Sequence, residues 1–146
     1  MIRLSTKGRY GTRLMIRLAQ EYQDGGESII LKKISDEEDI SIRYLEQIII
    51  PLKIARLVKS IRGAGGGYIL ARDPSNIKLR EILHALEGLC CLVECVMDED
   101  YCDKTNECAA YDIWSKASFL LKDYFENTTL LDLVKIAEKK KSAIRK

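Results

Sequence analysis

The chain has 146 residues, of which 47% are hydrophobic and 32% are charged, and its formal net charge is +2. This length suits one compact domain, or one small domain with an appendage, and the apolar fraction is sufficient for a core. No apolar run approaches the roughly 18 residues of a membrane span, and the basic start is not followed by the apolar segment of a signal peptide. We therefore expect a cytoplasmic protein with no membrane partner.

The charged residues are distributed unevenly along the chain. Residues 1–72 contain 13 lysines and arginines against 8 acidic residues, residues 73–110 contain 3 against 9, and residues 111–146 contain 8 against 5. The acidic central segment also contains all five cysteines. A basic N-terminal half joined to such a segment indicates two tasks in one chain.

The first predicted element is a helix from about Thr6 to Gln23. It carries a basic edge, on which we expect Arg13 and Arg17 to be solvated, and a glycine stop at 24–26 ends it. Its expected buried residues are Leu14, Met15, Leu18 and Ala19.

Residues 29–50 predict a helix-turn-helix. Ile29–Leu31 is expected to be a short strand or an extended link, and Lys32–Asp39 is expected to be the first helix. Ile40 fills the turn. Ser41 caps the second helix, because its hydroxyl can accept a hydrogen bond from an amide of the first turn.

The second helix has an apolar stripe and a proline. At the spacing of one helical face, the stripe consists of Ile42, Leu45, Ile49 and Leu52. Pro51 removes a backbone hydrogen bond and clashes one turn back. We therefore expect this helix to end near Ile50, with Pro51 starting another turn.

Two strands are predicted next, in LVKSIRG (57–63) and GYILARD (67–73), because apolar and polar residues alternate there. The glycines between them allow a tight hairpin and a close approach of the backbone to a partner. Lys59 and Arg62 give the hairpin positive charge. A helix-turn-helix followed by a basic two-stranded wing is the layout of a winged helix-turn-helix.

This layout predicts a DNA-binding protein. Arg43 and Gln47 lie on the exposed side of the second helix, and such side chains make paired hydrogen bonds to guanine and adenine. The alternative is an ordinary helix and hairpin whose charges only favour solubility. The candidate DNA contacts are Lys7, Arg9 and Tyr10 on the first helix, Ser41, Arg43, Tyr44, Glu46 and Gln47 on the second, and Lys59, Arg62 and Gly63 on the wing.

Three stretches resemble the IscR-like winged-helix repressors, a family with relatives that sense nitric oxide or regulate cysteine metabolism. They are MIRLSTKGRYGTRLMIRLA, ISIRYLEQ and RGAGGGY. The resemblance covers nearly the whole chain and implies a transcription regulator. One departure is Arg56, which stands in a turn where the family commonly has glycine.

Residues 76–88, NIKLREILHALEG, predict an amphipathic helix closed by Gly88. Its inner side is expected to consist of Leu79, Ile82, Leu83 and Leu86. It carries His84, the only histidine of the chain.

The cysteines fall into two groups. Cys90 and Cys91 lie in an apolar run and are expected to be small core residues. Cys95, Cys102 and Cys108 are spread through an acidic, loop-like stretch, which is typical of a metal site and not of a disulfide set. Spacing alone leaves zinc and an iron–sulfur cluster open. The resemblance implies a [2Fe–2S] cluster held by these three cysteines.

The resemblance does not supply a fourth ligand. The IscR-like pattern has a histidine where this chain has Tyr111, and the nitric-oxide-sensing relatives have an acidic residue where this chain has Gly8 and Arg9. The candidates are His84, Tyr111, Cys90, Cys91, a loop carboxylate, and a small exogenous thiol or water.

Ala109 to Asn127 predicts a long helix whose apolar residues favour packing against a second copy. The alternative is that this surface packs on its own core. Thr128 or Thr129 caps a final helix, LLDLVKIAEKK, and the tail KKKSAIRK is expected to be frayed. The apolar residues of the long helix are Ile113, Trp114, Ala117, Phe119, Leu120, Leu121, Tyr124 and Phe125.

The predicted fold is mainly α, a winged helix-turn-helix with a small β wing and a long C-terminal dimerisation helix. We expect a DNA-binding domain in 1–88, a sensor loop in 89–108, and the dimerisation and final helices in 109–146. The predicted function is a homodimeric regulator, not an enzyme, whose binding to a near-palindromic operator in double-stranded DNA is controlled by the cluster. The alternatives are a cluster-free regulator of cysteine metabolism or thiol stress, and a zinc-stabilised protein-interaction module.

Overall fold

Seven α-helices and one β-hairpin follow one another in residues 3–88 and 91–145, the part of the chain that the computed structural model describes. They are α1 (Thr6–Gln23), α2 (Leu31–Glu38), α3 (Ile42–Ile54), β1 (Val58–Ile61), β2 (Gly67–Leu70), α4 (Leu79–Glu87), α5 (Glu94–Met97), α6 (Ala109–Asn127) and α7 (Leu130–Ile144). Short 3-10 turns lie at Pro74–Asn76, Glu99–Tyr101 and Thr105–Glu107. The predicted mainly α fold with a small antiparallel wing is confirmed.

One apolar core is formed by side chains of the helices α1, α2, α3, α4 and α7 and of the two strands. The predicted buried face of α1 is confirmed, and Gly11 lets α4 approach α1 closely, since a Cβ there would overlap the Leu86 side chain. The core residues are Leu14, Met15, Leu18, Ala19, Ile29, Leu31, Ile34, Ile40, Leu45, Ile48, Ile49, Leu52, Leu57, Val58, Leu70, Ile77, Ile82, Leu86, Leu130 and Val134.

The outer face of α1 is tied to α2 by ion pairs. Arg13 pairs with Glu38, and Arg17 pairs with Glu37 and with Glu21. The hydrogen bond from Arg17 lowers the pKa of the Glu37 carboxyl. Arg13 is exposed, as expected of a solvated face, but the Arg17 side chain is only 13% exposed, because the acidic end of α2 faces it.

The turn between α2 and α3 has the predicted construction. Ile40 is buried in it, and the Ser41 hydroxyl accepts from the Tyr44 amide at 3.2 Å. The buried stripe of α3 differs from the prediction at two residues: Ile48 is fully buried, whereas Ile42 is 40% exposed. Ile42 is the first residue of α3, and it follows the exposed Ser41.

The helix α3 continues through Pro51 to Ile54, so the expected end near Ile50 was wrong. Proline removes one backbone hydrogen bond. Leu52 lies in the helical turn that begins at Pro51 and is fully buried. Burial of such a side chain stabilises the fold by roughly 1.5–3 kcal/mol, which outweighs the lost hydrogen bond. The amide of Ala55 also donates to the Pro51 carbonyl at 2.9 Å and closes this turn.

The wing is anchored to the link between α1 and α2. Its register pairs Val58 with Leu70 and Ile61 with Gly67. Ile29 forms a bridge to Tyr68 through two backbone hydrogen bonds of 2.9 and 2.8 Å. A Cβ on Gly67 would lie 2.5 Å from the Ile29 carbonyl oxygen, so glycine permits this approach. Both strands are shorter than predicted: β1 ends at Ile61, where the glycine turn begins, and β2 ends at Leu70, the partner of Val58 at the start of β1.

The helix α7 is fixed at its start against α4. Leu79 donates to the Thr128 carbonyl and Leu130 donates to the Ile77 carbonyl, both at 2.8 Å. Thr129 is the N-cap of α7. The tail expected to be frayed is helical to Ile144. No helix of the described residues is long and apolar enough to cross a membrane.

Two predicted details of α4 need correction and one is confirmed. The helix begins at Leu79 and not at Asn76, because Pro74–Asn76 forms a separate 3-10 turn. Leu79 itself is only half-buried, while Ile82, Leu83 and Leu86 are buried. Gly88 ends the helix with φ +86°.

The turn after α3 places a non-glycine residue in left-handed backbone. Arg56 has φ 57° and an exposed side chain, and such a conformation costs about 1 kcal/mol outside glycine. Arg56→Gly should therefore raise the free energy of unfolding by about 1 kcal/mol, measured by urea denaturation. Asp39, with φ 52°, is the matched control. Because aspartate tolerates left-handed backbone, Asp39→Gly should raise the free energy of unfolding by less than Arg56→Gly does. Equal gains would contradict the strain at Arg56.

Candidate nucleic-acid interface and cysteine segment

The exposed side of α3 carries three of the predicted DNA contacts. Arg43, Glu46 and Gln47 are all exposed and fall on one helical face, opposite the buried Leu45 and Ile48. Arginine and glutamine on such a face can reach base edges in the major groove. Ser41 is exposed just before this face, but its hydroxyl is engaged as the helix cap.

Tyr44 lies in a different environment. It is half-buried and meets Tyr10 of α1 edge to face, with ring centroids 5.9 Å apart. The residue spacing had indicated that Tyr44 lies on the exposed side of α3. Its ring instead packs between α1 and α3 and is only partly exposed. The guanidinium groups of Arg9 and Arg13 lie 5.8 and 5.6 Å from the Tyr10 ring centroid. This contact places Arg9 near the first turn of α3.

The wing carries Lys59, Arg62 and Gly63 in exposed positions. Gly63 has φ +101° and open space around its Cα, so the turn there depends on glycine. Among the described residues, Lys7, Arg9, Arg43, Lys59 and Arg62 form no ion pair, whereas Arg13, Arg17, Arg72 and Arg80 each do. The basic groups of α3, the wing and the start of α1 are therefore available to an anionic partner.

The cysteine segment is more structured than the predicted loop. It contains α5 and two 3-10 turns, and α5 packs on α6. The amide of Leu92 donates to the hydroxyl of the buried Ser118 at 3.1 Å, which fixes the start of the segment to α6. No pattern in the sequence signals this role of Ser118, because a serine within an apolar helical pattern is usually exposed.

The three candidate cysteine ligands are not assembled into a site. Cys95, Cys102 and Cys108 are free and half-buried. In residues 3–88 and 91–145, no three side chains among histidine, cysteine, aspartate and glutamate lie close enough together to hold a metal ion. The donor types suit a metal or a cluster, but their arrangement does not fit one.

The candidates for the fourth ligand are also dispersed. His84 is exposed on α4 and lines a small cleft toward α6 together with Cys91. Tyr111 is half-buried in the first turn of α6. Cys90 lies outside the described residues. Gly8, one of the two residues that the resemblance aligns with an acidic residue, is buried at the start of α1, where a Cβ would overlap the Glu87 carboxylate.

The fold and the exposed basic surface define a winged helix-turn-helix protein of the DNA-binding class. The family model of Rrf2, described as an iron-dependent transcriptional regulator, matches residues 4–136. The chain therefore belongs to the Rrf2 family of transcription regulators.

Relatives and solved structures agree with this assignment. The HTH-type transcriptional regulator CymR of Bacillus subtilis (strain 168) is 39% identical over 142 residues, which cover 97% of this chain and 96% of CymR. The structure of CymR, the global cysteine regulator of B. subtilis, has a TM-score of 0.78 at 38% identity and covers 93% of this chain and 98% of its own. The T. potens IscR structure has a TM-score of 0.76 at 37% identity, with coverage of 95% and 90%.

Proposed function

We propose that the protein is a homodimeric transcription regulator that binds a near-palindromic operator in double-stranded DNA through α3 and the wing. The observation that carries this proposal is the exposed face of α3, where Arg43 and Gln47 stand beside basic groups that form no ion pair among the described residues. The names of its relatives as transcriptional regulators support it.

In this proposal the side chains have separate roles. Arg43 and Gln47, four residues apart on α3, contact base edges in one stretch of major groove. Glu46 lies beside them and selects or repels bases. Arg62 enters the adjacent minor groove from the wing. Lys7, Arg9 and Lys59 contact phosphates, which sets the position of α3 without reading sequence.

Two substitutions separate base reading by α3 from the contribution of positive charge on the wing. Gln47→Ala should relax selectivity by roughly 1–3 kcal/mol at one base pair, because the paired hydrogen bonds of the amide are lost. Arg62→Ala should weaken binding to all sequences and reduce the salt slope by about 1. Fluorescence anisotropy at several salt concentrations measures both effects. Lys139→Ala on α7 is the control for loss of an exposed charge, and an effect equal to that of Arg62→Ala would contradict the placement of the wing.

The dimer is proposed to form through α6. Its side chains leave an exposed apolar face, Ile113, Trp114, Phe119, Leu120 and Tyr124, which we call the α6 face. Met97 and Tyr101 of the cysteine segment are also exposed. A large exposed apolar surface marks an interaction site. Pairing of two copies sets the two α3 helices about 34 Å apart, one turn of DNA, or a multiple of it.

Two kinds of control of DNA binding are equally supported. A [2Fe–2S] cluster on Cys95, Cys102 and Cys108 is supported by the donor types and by the description of the family as iron-dependent. Regulation of cysteine metabolism without a cluster is supported by the likeness to CymR, the global cysteine regulator of B. subtilis, and by the dispersed free thiols. A zinc-stabilised module remains the alternative of another class, supported only by the same thiols.

Anaerobic reconstitution followed by iron, sulfide and zinc analysis separates these possibilities. A cluster should give a coloured protein, and alanine at any of Cys95, Cys102 or Cys108 should bleach it, because each thiolate is a ligand. Cys91→Ala should keep the colour unless Cys91 is the fourth ligand. A colourless, metal-free protein that still binds the operator would support the cluster-free regulator. A colourless protein with one zinc per chain would contradict the cluster and leave the winged-helix assignment standing.

A further inference from the structure

The exposed face of α3 does not end with Gln47. Two isoleucines follow, and they are among the most exposed apolar residues of the described chain, Ile50 at 57% and Ile54 at 77%. Both belong to the same helix as Arg43, because α3 continues through Pro51. An isoleucine side chain cannot donate or accept a hydrogen bond, so any contact that it makes with DNA is an apolar one.

The position of Ile50 around the helix is defined by its spacing. It follows Gln47 by three residues, Glu46 by four and Arg43 by seven, and residues at these intervals share one helical face. Leu52, two residues later, is fully buried on the opposite side. At about 100° per residue, the Ile50 side chain therefore lies within about 60° of Arg43, Glu46 and Gln47, on the same exposed face of α3.

No neighbouring side chain of α3 covers Ile50 from the wing side. Lys53, the next exposed residue of this face, has its ammonium group 5.9 Å from the centroid of the Tyr68 ring. Its stem is thus directed toward the base of the wing. The exposed fraction of Ile50 agrees with this arrangement.

The major groove offers one apolar group to such a side chain, the 5-methyl of thymine. A helix rises about 1.5 Å per residue, so Ile50 lies roughly 4.5 Å beyond Gln47 along the axis. Successive base pairs are about 3.4 Å apart. The side chain of Ile50 therefore reaches the base pair next to the one that Gln47 contacts.

We propose that Ile50 is a specificity-determining residue that contacts the 5-methyl group of a thymine beside the base pair read by Gln47. This inference rests on the proposed function, since it takes α3 to lie in the major groove. Ile54 lies about 6 Å further along the axis, a full turn beyond Ile50, and does not share this contact.

The test uses the full-length protein and the operator obtained by selection from random DNA. Each thymine is replaced in turn by deoxyuridine, which removes only the methyl group, and binding is measured by fluorescence anisotropy. The wild-type protein should lose affinity about fourfold per half-site at one thymine, the effect of one buried methyl group. Ile50→Ala should bind the thymine and uracil operators equally, whereas the control Ile54→Ala should keep the fourfold difference.

The outcomes distinguish this inference from the proposed function. Selection that recovers no preferred sequence would overturn the proposed function and the inference with it. The inference alone would be overturned if the protein binds selectively but no thymine is sensitive to loss of its methyl group. It would also be overturned if Ile50→Ala is as sensitive to that loss as the wild-type protein. The inference is supported if the wild-type protein prefers the thymine operator while Ile50→Ala binds both operators more weakly and with equal affinity. If Ile50→Ala retains operator binding but loses a co-purifying protein, Ile50 contacts a protein partner instead.

Discussion

Replacing Leu120 with glutamate should convert the proposed dimer into monomers and lower operator affinity by roughly 10²–10⁴-fold, because simultaneous binding of two half-sites is lost. Leu120 is 58% exposed in the single chain, so the charge should not disturb the fold. In a dimer that buries the α6 face, the same carboxylate would lie unpaired in an apolar interface, which costs several kcal/mol. Leu121 is half-buried and makes a less clean site for this change.

Sedimentation velocity and fluorescence anisotropy measure the two parts of this effect. Ile136→Glu is the matched control, because Ile136 is 51% exposed on α7, outside the α6 face. It should remain dimeric and bind the operator normally. A Leu120→Glu protein that is still dimeric with unaltered affinity would show that the two copies meet elsewhere.

Replacing Leu130 with alanine should have the largest effect on stability, a loss of about 2–5 kcal/mol in the free energy of unfolding. Leu130 is fully buried at the first position of α7 and belongs to the core that contains Leu14 and Met15. The substitution leaves a cavity where α7 meets the rest of the fold. A loss of this size is a large part of the roughly 5–15 kcal/mol that is typical of a protein.

Urea denaturation followed by circular dichroism measures this loss, at one protein concentration because dissociation contributes to the stability of a dimer. Ile136→Ala removes a similar side chain from the exposed side of the same helix and should change stability by less than about 0.5 kcal/mol. Similar losses in the two variants would contradict the role of Leu130 as the anchor of α7.

Local signals in the sequence were sufficient for the elements that they determine. The bounds of α1 and α6 agree with the predicted helices, and the Ser41 cap, the buried Ile40 and the wing glycines have the expected places. These features depend on neighbours a few residues away. The prediction for Pro51 failed because a local rule was outweighed by the burial of Leu52 in a core formed by distant segments.

The candidate site was predictable only in part for the same reason. The exposed face of α3 follows from helical spacing, so Arg43, Glu46 and Gln47 lie where the spacing predicts. The contact between Tyr10 and Tyr44 joins two helices, and no local pattern signals it. Likewise, the spacing of three cysteines shows what donors are present but not whether the backbone brings them together, and in the described residues it does not.

The pairing of α1 with α7 has a consequence for synthesis of the protein on the ribosome. The first helix of the chain completes its core with Leu130 and Val134 of the last one. Because translation proceeds at about 5–20 residues per second, the core around Leu14 and Met15 stays incomplete for seconds before α7 emerges. During that interval the polypeptide is a substrate for chaperones and proteases. Messages that end before the codon for Leu130 should therefore yield products that are degraded instead of DNA-binding fragments.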